Sequence, residues 1–291
     1  MENRVVGIIG GSGLYGLGDL DDVEERRVET PWGEPSGLLT AATMGGVPVV
    51  FLPRHGPGHR IPPSEINYRA NIHALKALGV TDLISLSACG SFQEELRPGT
   101  FVLADQFIDR TSGREKSFFG AGCVAHVSMA RPVCPALGDA LETSCRALDI
   151  PYHRGGTYVC IDGPQFSSIA ESLFYKGAGA NVIGMTNMPE AKLAREAELP
   201  YATVAMVTDY DCWHETEKPV EVAAVLEIMR QNTEGARRLL ADVAPRLGAT
   251  RRTSPLGVEK VLDFAIITPK EARDPVLVEK LNVVAGRALT P

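Results

Sequence analysis

Short, almost wholly apolar runs alternate along this chain with stretches whose apolar residues recur every three or four positions. Arg4 to Ile9 and Pro48 to Leu52 are runs of the first kind and predict strands buried on both faces. Asp82 to Ser87, Thr100 to Ala104, Gly155 to Ile161, Asn181 to Ile183 and Tyr201 to Val207 repeat the pattern. Between them Ile66, Ala70, Ala74 and Leu78 make one helical stripe, with Ser64 placed to cap it and Gly79 to end it. Helices are also expected over Pro135 to Leu148, Ser168 to Lys176, Glu190 to Glu196, Val220 to Val243 and near Pro275 to Ala285. This alternation predicts an α/β fold: one domain with a mixed, mainly parallel central sheet covered by helices. No repeat or low-complexity linker divides the chain, and a helical tail follows from about residue 250.

Composition narrows the class. The chain has 291 residues, 44% of them hydrophobic and 22% charged, as in an ordinary globular protein. A formal net charge of −7 argues against an extended basic surface for nucleic acid. It leaves room for a small basic pocket. No apolar run approaches the roughly 20 residues that span a bilayer. The start, MENRVVGIIGG, enters a strand directly and lacks the pattern of a signal peptide. Cys89, Cys123, Cys134, Cys145, Cys160 and Cys212 are scattered without a CxxC pair, so free thiols and a cytoplasmic location are expected.

Polar turns follow the predicted strand ends, where open α/β sheets bind ligands. Gly11-Ser12-Gly13-Leu14-Tyr15-Gly16 matches GxGxxG, but the chain then turns polar where a dinucleotide site needs a helix. The turn reads better as backbone N–H groups and the Ser12 hydroxyl holding an anion, with a plain structural turn as the alternative. Arg54 and His55 follow another strand, and an arginine there offers a rigid fork to phosphate or carboxylate. Ser87, Ala88 and Thr186 add hydroxyls and backbone donors at further strand ends. Singly each is more simply structural; together they suggest a cradle for a small oxyanion. The absence of GxxxxGK[ST] argues that the anion is not the tail of ATP.

Thr208-Asp209-Tyr210-Asp211-Cys212-Trp213-His214 is the most informative stretch. Two acids at the end of a buried strand can form a solvated turn, a metal site with Cys212 and His214, or a hydrogen-bonding clamp. The clamp suits a 6-aminopurine. Its amino group and protonated N7 both donate, and carboxylates accept from both, whereas the O6 of a 6-oxopurine calls for a donor.

GIIGGSGL, TPWGEPS, PRHG with His59 following, NYRANI, SACGSFQEELRPG, DQFIDRT, DGPQFSS, GMTNMPEAKLAREA and VTDYDCWH occur in order from about residue 5 to 245. On these motifs the chain resembles the trimeric purine nucleoside phosphorylase family, in the branch that acts on 5′-methylthioadenosine. The resemblance implies a nucleoside phosphorylase-like fold and a phosphate site of Ser12, Arg54, His55, Ser87, Ala88 and Thr186. It implies that Met185 lies along the ribose, that Phe166 stacks on the purine and that Ser167 helps orient an acid. Asp209 and Asp211 would read the base, and Val222, Val225 and Leu226 would line a 5′-methylthio pocket. His126 would reach a neighbouring subunit's site in a homotrimer. Gln165 and Asn187 depart from the family pattern beside these positions and are expected to bear on affinity and breadth.

The implied reaction is phosphorolysis of methylthioadenosine to adenine and 5-methylthioribose 1-phosphate, with inorganic phosphate as co-substrate. No metal or organic cofactor, nucleic acid or membrane partner is expected. A 6-oxopurine nucleoside phosphorylase is the nearest alternative. A nicotinamide-dependent oxidoreductase would rest on GxGxxG alone, and a nucleoside-binding protein without catalysis would need no phosphate cradle.

Overall fold

A computed structural model describes residues 4–11, 20–214, 222–249 and 253–289. The chain starts with the buried strand β1 (Val6–Gly10). It continues through β2 (Asp21–Arg26), β3 (Leu39–Met44) and β4 (Val47–Pro53). Gly45 and Gly46, at φ 54° and 80°, turn β3 into β4; glycine takes such positive angles at no steric cost. The helix α1 (Tyr68–Ala77) follows. Asn67 caps it by accepting from the Ala70 N–H, while the Ser64 hydroxyl, expected in that role, donates instead to the Asp162 carbonyl. Pro62 and Pro63 impose a separate 3-10 turn over Pro63–Glu65, so the α-helix begins later than Ser64.

The long strand β5 (Asp82–Ser91) carries straight through the segment read as a polar turn. Then come β6 (Phe101–Leu103), β7 (Gln106–Asp109), α2 (Pro135–Ala147), β8 (Tyr152–Arg154) and β9 (Thr157–Cys160). Ser168 and Glu171 close a capping box on α3 (Ile169–Gly177). The remaining elements are β10 (Val182–Gly184), α4 (Asn187–Glu196), β11 (Tyr201–Asp209) and α5 (Val222–Ala249), then α6 (Pro275–Lys280) and α7 (Asn282–Leu289). The single last helix expected over Pro275 to Ala285 is thus two, divided at Leu281.

The strands form one mixed sheet that branches at β5. β5 pairs in parallel with β1 and β11, while its last residues run antiparallel to β10. Alternation along the strands sorts side chains to the two faces. Ile9, Leu83 and Tyr201 join a core roofed by α1, α4 and α7. Their neighbours Ile8, Ile84 and Ala202 join a second core under α2 and α5. Leu262, Leu281 and Val284 enter the first core, so the tail is packed into the same body. β2 escaped the sequence reading because Asp21 to Arg26 is exposed throughout and carries no apolar period. Ladder hydrogen bonds to β3 alone make it a strand.

Candidate functional site

A cavity of about 270 Å³ opens where the central strands end. Gly11 after β1, Arg54 and His55 after β4, Ser87 to Gly90 on β5, Gly184 to Thr186 from β10, and Thr208, Asp209 and Asp211 from β11 all line it. Phe166 and Ser167 reach it from the loop before α3, and Met229, Asn232 and Thr233 close it from α5. The early arginine and the late acids therefore share one hollow. β5 makes this possible, because it pairs with β1 on one side and β11 on the other.

Arg54 is buried, and its fork is not free. Nε donates to Glu190 Oε2 at 2.9 Å, Nη2 to Ser85 Oγ at 2.6 Å and to Glu190 Oε1 at 3.2 Å, and Nη1 to the Leu86 carbonyl at 3.0 Å. Only one Nη1 hydrogen lacks a partner among the described residues, which corrects the expectation of an open fork facing the anion. Burial works against the charge, and the Glu190 carboxylate outweighs it, so the guanidinium stays protonated. The Tyr201 hydroxyl also donates to Glu190, at 2.9 Å.

His55 Nδ1 lies 2.9 Å from the Ile61 carbonyl. A carbonyl only accepts, so Nδ1 carries the hydrogen and Nε2 keeps its lone pair. Burial, aided by the Arg54 charge, pushes this imidazole down to about 4, and it is neutral at neutral pH. His59 stacks on it at 4.1 Å between ring centroids. Ser87 Oγ lies 3.0 Å from the Tyr158 hydroxyl. That contact needs Gly184, where an added Cβ would sit 1.8 Å from the Tyr158 oxygen. Thr186 is buried and lines the cavity without capping α4.

At the acidic part, Thr208 Oγ1 lies 2.6 Å from Asp209 Oδ2, and the Asp211 N–H donates to Asp209 Oδ1 at 2.8 Å. Asp211 takes up φ 53°, a conformation that Asp tolerates through such local bonds. Burial raises both carboxyls above their ordinary range, and the charge of Asp209 adds to the rise at Asp211. The Ser167 hydroxyl, expected to orient an acid, is buried without a hydrogen-bond partner among the described residues; Thr208 and the Asp211 N–H hold Asp209 instead. Gly90 leaves the room for this pair, since a Cβ there would meet Asp209 Oδ1 at 3.0 Å.

Other expected residues divide. Phe166 lines the cavity and is 58% exposed, and Met185 lines it beside Gly163, where a Cβ would press on the Met185 sulfur. Leu226 is 58% exposed and does not line the cavity, which corrects its assignment to the wall. It shares a helical stripe with Met229 and Thr233 but lies a turn beyond them, where the cavity wall no longer reaches. Ser12, and the side chains of Val222 and Val225, lie outside the described residues. His126 is exposed and away from this cavity. Gln165 is exposed, and Asn187 is fully buried with its amide donating to Thr203 Oγ1; neither lines the cavity.

Sequence reasoning missed Glu190, Thr208, Asn232 and Arg114. Arg114 is buried and donates to the carbonyls of Met185, Met188, Ile161 and Asp162, fixing both loops at the cavity edge. Nothing near it in sequence announces that role. Glu190 carried a faint signal: an acid within the apolar GMTNMPEA run needs a buried cation.

Fold and cavity together define a class: an α/β protein with a strand-end hollow lined by an arginine and a pair of buried acids. The sequence profile of the Phosphorylase superfamily matches residues 5–245, and the chain belongs to that superfamily. It is 58% identical to S-methyl-5′-thioadenosine phosphorylase of Bradyrhizobium diazoefficiens, over 99% of each chain. Identity to the protein of that name from Cereibacter sphaeroides is 55%, over 98% of each. Among solved structures, a methylthioadenosine phosphorylase from an Antarctic soil metagenomic library superposes with a TM-score of 0.92. It is 45% identical, covering 98% of this chain and 99% of its own. A variant of the Schistosoma mansoni adenosine/methylthioadenosine phosphorylase, in complex with methylthioadenosine, gives a TM-score of 0.84 at 39% identity, covering 94% and 100%.

Proposed function

We infer that this protein cleaves S-methyl-5′-thioadenosine with inorganic phosphate, releasing adenine and 5-methylthioribose 1-phosphate. One observation carries the reading: the Arg54–His55 pair and the Asp209–Asp211 pair line the same cavity. Glycosidic cleavage builds positive charge on the sugar and negative charge on the departing base. Phosphate beside Arg54, Ser87, Ala88 and Thr186 would be held against the sugar, replacing a chance encounter by a fixed approach. Neutral His55 offers Nε2 as an acceptor for the hydroxyl of hydrogen phosphate. Asp209, with its raised pKa, can pass a proton to N7, help that is worth about 10²–10⁴-fold. The acceptor character of Asp209 and Asp211 favours a 6-aminopurine over a 6-oxopurine. Phe166 would stack on the base and Met185 lie along the ribose. Ser167 would gain its missing hydrogen-bond partner when the site fills. The reaction so written needs no metal or organic cofactor.

A homotrimer with shared sites completes the reading. His126 is flanked by exposed Val124, Phe264 and Ile267, an apolar surface that a second subunit would cover. Six unpaired thiols fit a cytoplasmic setting. The test is release of free adenine from methylthioadenosine with and without phosphate. Phosphate-dependent release supports the reading; release without phosphate means hydrolysis, and binding without release means a carrier.

A further inference from the structure

The Thr208 hydroxyl has two acceptors in reach and one hydrogen to give. It lies 2.6 Å from Asp209 Oδ2 and 3.2 Å from the Cys89 carbonyl, and both separations are hydrogen-bonded. A hydroxyl has one hydrogen. The Cys89 carbonyl can only accept, so when the Thr208 hydrogen points there, the 2.6 Å contact requires a proton on Asp209 Oδ2 donating to Thr208 Oγ1. When Asp209 is ionised, the hydrogen must turn to Oδ2.

We propose that Thr208 is a positioning residue whose hydroxyl switches between the Cys89 carbonyl and Asp209, holding that carboxyl in one place before and after it gives its proton to the base. The proposal rests on the phosphorolysis reading. In the transfer the O–H bond of Asp209 breaks and an N7–H bond forms on the purine. The electron pair left on the carboxylate is then met by the Thr208 hydroxyl at Oδ2 and by the Asp211 N–H at Oδ1. The backbone of β5 and β11 fixes both ends of the swing, because Cys89 pairs with Val207, next to Thr208. Removing bulk water makes such a bond to a forming charge worth more than in solution. Among the described residues, the ionisable groups facing Asp209 are Asp211, from the turn after β11, and the Cys89 thiol of β5. Burial keeps that thiol protonated, with the Asp209 charge adding to the effect, so it contributes no competing charge.

Thr208→Val keeps the shape and removes the hydroxyl; Thr208→Ser keeps the hydroxyl. In the ligand-free proteins, aspartyl carboxyls are titrated by carbon-13 NMR, with Asp209→Asn assigning the signal. Loss of a donor to the ionised form should move the Asp209 midpoint upward in Thr208→Val, and Thr208→Ser should restore it. With methylthioadenosine and phosphate, Thr208→Val should lose about 10- to 100-fold in kcat, since bonds to charged groups are worth more than neutral ones. The nucleoside KM should stay within about threefold, because the bond strengthens only as the proton leaves. Thr208→Ala takes the place of the valine variant if valine disturbs folding. An unmoved midpoint, a loss confined to KM, or a serine variant as impaired as the valine one overturns the proposal. If the unaltered protein releases no adenine, the functional reading fails, while the NMR titration still decides the Thr208 switch.

Discussion

The two parts of the cavity are finished to different degrees. Around Arg54, nearly every polar group already has a protein partner: Glu190 and Ser85 take the guanidinium, Tyr201 supports Glu190, and Tyr158 meets Ser87. Around Asp209, groups are left wanting. Both acids sit in surroundings that resist their ionisation, the Ser167 hydroxyl has no partner among the described residues, and Phe166 stands 58% exposed. A pocket for a small, invariant anion can be completed in advance by the protein. One that must exchange protons with a base needs carboxyls that resist ionisation, as burial makes Asp209 and Asp211.

The contrast breaks most sharply at Asp209. Asp209→Ala should lower turnover by about 10²–10⁴-fold with the fold intact, as seen by circular dichroism. Near-normal turnover would remove the acid from the reaction. Next in size is the buried pair opposite. Glu190→Gln leaves the Arg54 charge uncompensated and should cost about 3–5 kcal/mol in urea unfolding. Arg54→Met together with Glu190→Met should recover much of that stability yet not the KM for phosphate. If the double variant binds phosphate normally, Arg54 is a structural ion alone.

Smaller effects refine the comparison. Gly184→Ala places a Cβ against Tyr158 and should destabilise by about 1–3 kcal/mol while raising the phosphate KM more than the nucleoside KM. Equal shifts in the two constants would mean that the Tyr158–Ser87 contact does not serve the anion. Ser167→Ala removes a hydroxyl that has no partner among the described residues, so stability should not fall. Its nucleoside KM should rise severalfold, and an unchanged KM would dismiss Ser167 as a base contact.

The smallest effect is an opposite dependence on pH. His55 is pushed down to about 4 from the ordinary 6.5, so its contribution to stability is full above 6.5 and is lost as pH falls toward 4. Asp209 and Asp211 are raised, so theirs is full below the usual 3.8 and lost as pH rises through their folded values. Urea midpoints measured across pH should therefore flatten between about 4 and 6.5 in His55→Gln and above 3.8 in Asp209→Asn. Parallel curves for the two variants would deny the difference between the ends.

Several particulars were legible before any coordinates. The start of the helix at Ser168 and the end of α1 at Gly79 were read from the chain. The buried β1, β4 and β11 were plain from their apolar runs. Ser64 was misread because its true partner, the Asp162 carbonyl, is 98 residues away. β5 ran on through Ala88 to Ser91 because β11 and β10 supply its hydrogen bonds, which no local pattern reveals.

The same division holds at the site. Local chemistry, read as order and spacing, was enough to name Arg54, His55, Ser87, Thr186, Asp209 and Asp211, since each was read at or after a strand end and bears a group suited to an anion or a base. Whether those groups are free or already engaged was decided in three dimensions. Glu190 meets Arg54 across 136 residues, and Thr208 answers to a carbonyl 119 residues away. Side-chain type is written in the sequence, but hydrogen-bond partnership is set by distance in space, and folding alone brings those partners within reach.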